Sequence, residues 1–281
     1  MKKLILTALT ITICLALFPQ KKNVELDDFS VNGTFRAKGT GGIRSMNDGT
    51  HYTTLEDGKK IVKYAYETGQ QVAVLVDLEN MRNGSPIEKF ADYQFSNDEA
   101  KVLVYTNREN IYRRSFKADY YVIDVQRREI EQLSKDGKQQ QATFSPDGNN
   151  VAYVRDNNIF IKKLRFGTES PITTDGAKNS IINGLPDWVY EEEFNLSKAF
   201  EWSSDSEELA YIKFNETEVK DFTFTLFKAS DPDNEDYSLY PEQYSFKYPK
   251  SRGDTYSCVI VKVGELFTKF ISFPPLNVFV V

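Results

Sequence analysis

The chain is poor in the residues that most often carry catalysis and metal binding. Among its 281 residues it has one histidine, His51, and two cysteines, Cys14 and Cys258. Cys14 lies in an apolar N-terminal run, so removal of that run would leave Cys258 alone and exclude an intrachain disulfide and a cysteine metal site. A lone histidine is more often structural than catalytic, and His51 follows a predicted turn. We therefore expect neither a metal nor a cofactor.

The chain also lacks a basic stripe. Its formal net charge is -6 and its pI about 5.1, which excludes the electrostatic footprint of a nucleic-acid-binding protein. The hydrophobic share of 40% is that of an ordinary globular protein and is enough for a sizeable core. Aromatic residues reach 14%, with 20 Phe and 16 Tyr, and these rings favour strands over helices.

One long apolar run is present, at residues 4–18, directly after Lys2 and Lys3. A positive start followed by a run too short for a comfortable membrane span is typical of a secretory signal. No small-x-small pair lies cleanly before Gln20, so the cleavage site is undefined. Residues 1–20 are therefore predicted to be a signal peptide or an uncleaved anchor, and the protein to be exported: periplasmic, secreted or membrane-anchored.

Four similar turn segments recur along the chain. Their aspartates follow one another in steps of 50, 49 and 58 residues: Asp48, Asp98, Asp147 and Asp205. A period near 50 indicates a β-propeller, in which each blade is a four-stranded antiparallel sheet. An aspartate in such a turn bonds nearby backbone N–H groups, so we assign these four a structural role. The longer last step predicts an insertion, which in a repeat array often carries the binding site.

Strand and turn signals follow each of these segments. Residues 61–66 and 71–76, and likewise 120–125 and 129–133, predict hairpins. Residues 102–105 predict a strand that ends in a turn at 106–110. The fold class is therefore predicted to be all-β, with about four to five blades present.

The insertion contains three consecutive glutamates, Glu191 to Glu193, directly after the aromatic Trp188 and Tyr190. Such a triplet is usually a solvated surface. The alternative is that the triplet lines a partly desolvated cavity, where carboxylates bind a cation far more strongly than in water. Spacing alone leaves both open.

Residues 183–194, NGLPDWVYEEEF, resemble the double-glutamate segment of the dipeptidyl peptidase IV group in the prolyl oligopeptidase family of serine peptidases. Residues 112–116, with Tyr120 and Asp124, also match, as do residues 202–219 and 240–250. The likeness runs from about residue 22 to about residue 250. The Ser-Pro-Asp-Gly turns are shared by many propellers and are less specific.

The resemblance implies an eight-bladed N-terminal propeller capped by an α/β-hydrolase domain, which releases N-terminal dipeptides after Pro or Ala. It further implies that Glu192 and Glu193 bind the α-ammonium of a peptide, that Arg113 orients a substrate carbonyl, and that full-length members form homodimers. Both carboxylates can meet one ammonium only on a distorted turn or short helix, because adjacent positions of a regular helix face different ways. Glu191 is then expected to be solvated or paired with a basic neighbour.

The chain departs from the family in its catalytic residues. No Gly-x-Ser-x-Gly nucleophile elbow occurs, and His51 precedes any nucleophile, whereas α/β-hydrolases place the histidine last. No catalytic residue is therefore predicted, and the hydrolase domain is expected to be absent. Residues 251–281 lose the likeness, which suggests a frame-shifted or truncated tail after a propeller region at 22–250. The alternatives are a stand-alone propeller that binds peptide N-termini, or a non-functional fragment.

Overall fold

The computed structural model describes residues 23–37, 42–227 and 240–248, together with the backbone of residues 255–262 and 268–272. The predicted leader and much of the predicted divergent tail lie outside the described residues. The chain divides into two compact units, one ending at Gly42 and the other beginning at Ile43. No helix in the described part is both long and apolar enough to cross a membrane.

In the N-terminal unit, the described residues 23–37 contain one short helix, α1 (Leu26–Ser30). The backbone N–H of Glu25 donates to Oδ2 of Asp28 at 3.1 Å, which satisfies a donor at the start of the helix. The rings of Phe29 and Phe35 lie 5.0 Å apart and close the following turn.

The second unit is built from antiparallel sheets, and its first three sheets each contain four strands in chain order. This is the pattern of consecutive propeller blades, so the all-β propeller prediction is confirmed. Blade 1 contains β1 (Arg44–Ser45), β2 (His51–Glu56), β3 (Lys60–Ala65) and β4 (Gln71–Asp77), followed by a 3₁₀ turn at Leu78–Asn80. Blade 2 contains β5 (Asp92–Phe95), β6 (Lys101–Asn110), β7 (Phe116–Asp124) and β8 (Glu129–Gln132). Blade 3 contains β9 (Gln140–Phe144), β10 (Asn150–Arg155), β11 (Asn158–Lys163) and β12 (Thr168–Pro171).

Blade 4 differs because its first strand is split and two segments are inserted. β13 (Ile181–Asn183) and β14 (Phe200–Trp202) both pair with β15 (Glu208–Asn215). Helix α2 (Trp188–Phe194) lies between the two halves, which accounts for the longer last step of the repeat. The remaining elements are a hairpin, β16 (Asp221–Leu226) and β17 (Glu242–Lys247), and then β18 (Thr255–Lys262) and β19 (Thr268–Ser272), which complete the sheet.

Three apolar cores separate the four blades, one at each junction. Side chains alternate between the two faces of a strand. Val102 and Val104 therefore pack toward blade 1, while Leu103 packs toward blade 3. Strands buried on both faces read as continuous apolar runs, which is how these segments look in the sequence.

The four aspartate turns have the structural role assigned to them. Asp98 Oδ1 accepts from Ser96 Oγ at 2.6 Å and from the N–H of Ala100 at 3.1 Å. The other three aspartates also accept from the N–H two residues on, and Asp147 and Asp205 repeat the serine bond as well. Neighbouring turns are also joined, since Asn97 Nδ2 donates to the carbonyl of Pro146 at 3.1 Å. The turns thus tie one blade to the next.

Both predicted hairpins are present, but the turn predicted at residues 106–110 is wrong. β6 continues to Asn110, and the chain turns at residues 111–115 instead. Asn107 has a φ of 51° at a register shift between β6 and β7. Asparagine tolerates this left-handed conformation in a β-bulge as well as in a turn, so its presence misplaced the end of the strand.

Candidate functional site

Helix α2 is a single short helix with well-defined ends. Asp187 precedes it and accepts a hydrogen bond from the N–H of Tyr190 at 2.9 Å. Asn195 ends it with a φ of 58°, the left-handed conformation common after a helix. Gly184, with a φ of 76°, leads the chain out of β13 beside Ile159, where a Cβ would lie only 2.9 Å from the Ile159 side chain.

Aromatic contacts hold α2 against blade 4 and its hairpin. The Tyr190 ring meets the buried Phe214 ring edge-on at 5.3 Å. On another side of the helix, the Trp188 ring lies 5.1 Å from Tyr248 and 5.8 Å from Phe246. The helix therefore packs between the core of blade 4 and the β16–β17 hairpin.

The first glutamate of the triplet is buried. Glu191 is 2% exposed, and its Oε1 accepts from the backbone N–H groups of Arg114 at 2.8 Å and Ser115 at 2.9 Å. Of the two expected surroundings of Glu191, solvation or a basic neighbour, solvation is therefore excluded, and the interpretation of the whole triplet as a solvated surface is wrong. Its basic neighbour Arg114 does contact it, through the backbone amide and through Nη1, which donates to the Glu191 carbonyl at 3.3 Å.

The second glutamate meets the predicted arginine. Arg113 Nη2 lies 2.8 Å from Glu192 Oε1, and Arg114 Nη1 lies 3.8 Å from Glu192 Oε2. The Glu192 side chain is 22% exposed, so the pair is at the edge of water. The structure thus brings together Arg113 and Glu192, which come from blades 2 and 4.

The third glutamate faces solvent. Glu193 is exposed and forms no hydrogen bond or ion pair with the described residues. It differs from Glu192 because consecutive residues of a helix point about 100° apart. Of the two expected conformations, a distorted turn or a short helix, the segment adopts the short helix. The helix gives the two predicted carboxylates different surroundings: Glu192 is paired with Arg113, and Glu193 is exposed.

The surroundings of the triplet are negative. The triplet carries three carboxylates, and only that of Glu192 forms ion pairs with the two neighbouring guanidinium groups, those of Arg113 and Arg114. Burial, followed by the charges of nearby groups that include Tyr244, Glu216 and Glu191, raises the pKa of Tyr112 to about 12.

A cleft of about 390 Å³ lies beside α2 and the 111–115 loop. Its wall includes Tyr112, Ser115 and Trp188. Ser115 Oγ is buried and has no hydrogen-bond partner among the described residues. The described residues contain no cluster of three or more His, Cys, Asp or Glu that could hold a metal. His51 lies apart in blade 1, with Nδ1 2.7 Å from Asp48 Oδ2.

Sequence reasoning missed the buried role of Glu191 and the contact of Trp188 with the hairpin. Neither has a signal in the spacing of residues, because both contacts join segments that are distant in the chain. The sequence offered one indication that this hairpin packs against another element, the aromatic side chains within residues 240–248.

Comparison with known proteins agrees with this architecture. Residues 96–271 match the family described as the dipeptidyl peptidase IV (DPP IV) N-terminal region, a match that extends past residue 250, where the likeness noted in the sequence stops. The chain is 35% identical over 211 residues to dipeptidyl peptidase 4 of Trichophyton tonsurans, covering 74% of this chain and 26% of that protein. It is 39% identical over 166 residues to a probable dipeptidyl-aminopeptidase B of Emericella nidulans, covering 56% of this chain and 18% of that protein.

A solved structure shows the same fold. The crystal structure of Porphyromonas gingivalis dipeptidyl peptidase 4 superposes with a TM-score of 0.81 and 40% identity, covering 92% of this chain and 36% of that one. This chain therefore spans about a fifth to a third of the length of these relatives. Since the family match covers more than half of its residues, the chain belongs to the dipeptidyl peptidase IV N-terminal region family.

Proposed function

We propose that this chain supplies the N-terminal propeller of an exported, dipeptidyl peptidase IV-like serine peptidase, and that Glu192 and Glu193, with Arg113, hold the N-terminus of a peptide substrate. The observation that carries the proposal is the contact of Arg113 with Glu192, beside the open Glu193. The proteins it resembles are dipeptidyl peptidases by name.

The chemistry suits a free α-ammonium group. An α-amino group has a pKa of about 7.7–8.0, so it is largely charged at neutral pH. Glu193 offers a carboxylate that pairs with none of the described residues, and Glu192 retains acceptor positions beyond the one that Arg113 uses. An acylated terminus carries no charge and would lose these interactions.

Arg113 is suited to orienting a substrate carbonyl, the second interaction in the proposed site. A guanidinium has five N–H donors, and only Nη2 contacts Glu192 closely. The remaining donors can reach a substrate carbonyl one peptide unit from the ammonium. Fixing the ammonium and this carbonyl sets which peptide bond is presented to a nucleophile.

The test is binding of short peptides by the purified chain, measured by titration calorimetry. We expect an Ala-Pro tripeptide to bind and its N-acetylated form to bind at least about tenfold more weakly, which is a loss of about 1.4 kcal/mol. Glu192→Gln and Glu193→Gln should each weaken binding to a similar extent. Affinity should also fall above about pH 8, as the peptide ammonium loses its proton.

The matched control is Glu207→Gln, which neutralises an exposed glutamate elsewhere on blade 4. It should leave the affinity unchanged. Equal binding of the free and acetylated peptides would contradict the proposal. We expect no release of a chromogenic dipeptide by the chain alone; release that a serine-directed inhibitor abolishes would show that it carries its own nucleophile.

A further inference from the structure

The buried glutamate of α2 contacts the backbone of the loop that carries the arginine. Glu191 lies under the 111–115 loop, where Arg114 and Ser115 direct their N–H groups to its Oε1 at 2.8 and 2.9 Å. Both amides belong to the residues directly after Arg113. A carboxylate that is buried in this way is stable only when it is hydrogen-bonded, and the two amides meet that need.

The 111–115 loop also depends on the Glu191 carboxylate, which accepts hydrogen bonds from two of its backbone amides. The 111–115 loop closes on itself through the N–H of Ile111, which donates to the Ser115 carbonyl at 2.9 Å. The amides of Arg114 and Ser115 point outward to the helix instead. Buried N–H groups are nearly always paired, so removal of Glu191 would leave two donors to find new partners, and the loop would have to move.

Movement of this loop would separate the pair at the site. Arg113 reaches Glu192 from the loop, and Glu192 is the residue that follows Glu191 in α2. The carboxylate of Glu191 and the guanidinium of Arg113 thus make two neighbouring links between the same two segments. The Glu191 link is buried and made to backbone, whereas the Arg113 side chain is 70% exposed, so the first determines where the second can form.

We propose that Glu191 is the positioning residue of this site: it binds the backbone next to Arg113, holds that side chain against Glu192, and does not itself bind the ammonium. The proposal rests on the proposed function, in that Arg113 and Glu192 belong to the peptide site. It assigns the three glutamates of the run different tasks.

Two substitutions separate positioning from charge. Glu191→Gln removes the charge but keeps an oxygen that can accept from both amides. Glu191→Asp keeps the charge but shortens the side chain by one methylene, so it cannot reach both amides from the same helix. Two readouts are needed: hydrogen exchange of the Arg114 and Ser115 amides by NMR, and affinity for the Ala-Pro tripeptide.

We expect Glu191→Asp to speed exchange of both amides and to weaken peptide binding, each by about tenfold or more, because the shorter side chain loses its hydrogen bonds to the loop backbone. Glu191→Gln should stay within about threefold of the unmodified chain in both. Glu192→Gln should weaken binding while the two amides keep their protection, and Glu207→Gln should change neither.

The opposite order, with Glu191→Gln losing affinity and Glu191→Asp keeping it, would overturn the proposal and make Glu191 an ammonium ligand. Faster exchange in Glu191→Asp with unchanged affinity would also overturn it. If the unmodified chain binds no peptide, the proposed function fails. The positioning role of Glu191 is then tested by amide exchange together with the Arg113 side-chain NMR signal. That signal should shift in Glu191→Asp and not in Glu191→Gln.

Discussion

Arg113 Nη2 lies 2.8 Å from Glu192 Oε1, which joins a loop of blade 2 to the helix inserted in blade 4. An ion pair between exposed side chains contributes about 0.2–1 kcal/mol, because water screens the charges and two long side chains lose freedom. Its value to the protein is thus expected to be in binding rather than in stability.

The pair can be tested by a double-mutant cycle of Arg113→Leu and Glu192→Gln. We expect each variant to change the free energy of unfolding by less than about 1 kcal/mol, and the coupling energy to be about 0.5 kcal/mol. The measurement is urea unfolding followed by fluorescence. A coupling above about 2 kcal/mol would mean that the pair is a structural bridge.

Trp188→Ala should release the β16–β17 hairpin from α2. A two-stranded hairpin is marginal in water by itself, and Trp188 contacts both Phe246 and Tyr248. We expect amides of Asp221–Leu226 and Glu242–Lys247 to exchange about tenfold faster, while those of β10 and β11 keep their rates. The control Phe227→Ala removes a ring that is 77% exposed next to the hairpin, and should leave exchange unchanged.

Phe214→Ala should strongly destabilise blade 4. Phe214 is 1% exposed and supports Tyr190 of α2, so truncation leaves a cavity in the core beneath the helix. The expected loss is about 3–5 kcal/mol in the free energy of unfolding. Phe166→Ala, which removes a ring that is 68% exposed, should cost less than about 0.5 kcal/mol. Similar losses in the two variants would contradict this placement of the core.

Asp98→Ala should weaken one blade turn in a pH-dependent way. The hydroxyl of Ser96 is the main cause that lowers the pKa of Asp98 below its usual range, and the N–H of Ala100 adds to it. A lowered pKa in the folded state stabilises the protein above the unfolded-state value of about 3.9, and the effect disappears as pH falls through the folded-state value.

We therefore expect the variant to be less stable by about 1 kcal/mol between pH 5 and 8, and the difference to shrink below about pH 4. Urea unfolding at several pH values measures it, with the exposed Glu131→Ala as control. A difference that grows toward acid pH would show that the carboxylate is not the stabilising group.

Much of the architecture could be predicted from residues that are close in the chain. The Ser-x-Asp turns act locally, since Asp98 bonds residues two positions away on either side, and so their repeat is visible as sequence. Apolar runs such as residues 102–105 and 151–154 predicted strands because both of their faces are buried. The error at residues 106–110 arose because an asparagine has the same signature in a bulge and in a turn.

The site could be predicted only in part. The roles of Glu192, Glu193 and Arg113 were implied by resemblance, and the requirement that two adjacent carboxylates serve one ligand predicted a distorted turn or a short helix. The difference between the three glutamates had no such signal. It depends on which of them faces the 111–115 loop, and the loop comes from another blade.

By itself, the sequence determined the blade repeat, the four aspartate turns and the insertion, because these depend on hydrogen bonds and side-chain alternation within a few residues. Its likeness to a known family determined the family. Only the tertiary structure decided that Glu191 is buried, that Glu192 meets Arg113 and that Glu193 remains open. The physical reason is that burial and pairing of a charge are set by what packs against it, and here that partner is a hairpin tip brought from blade 2 to blade 4 by the stacking of the blades.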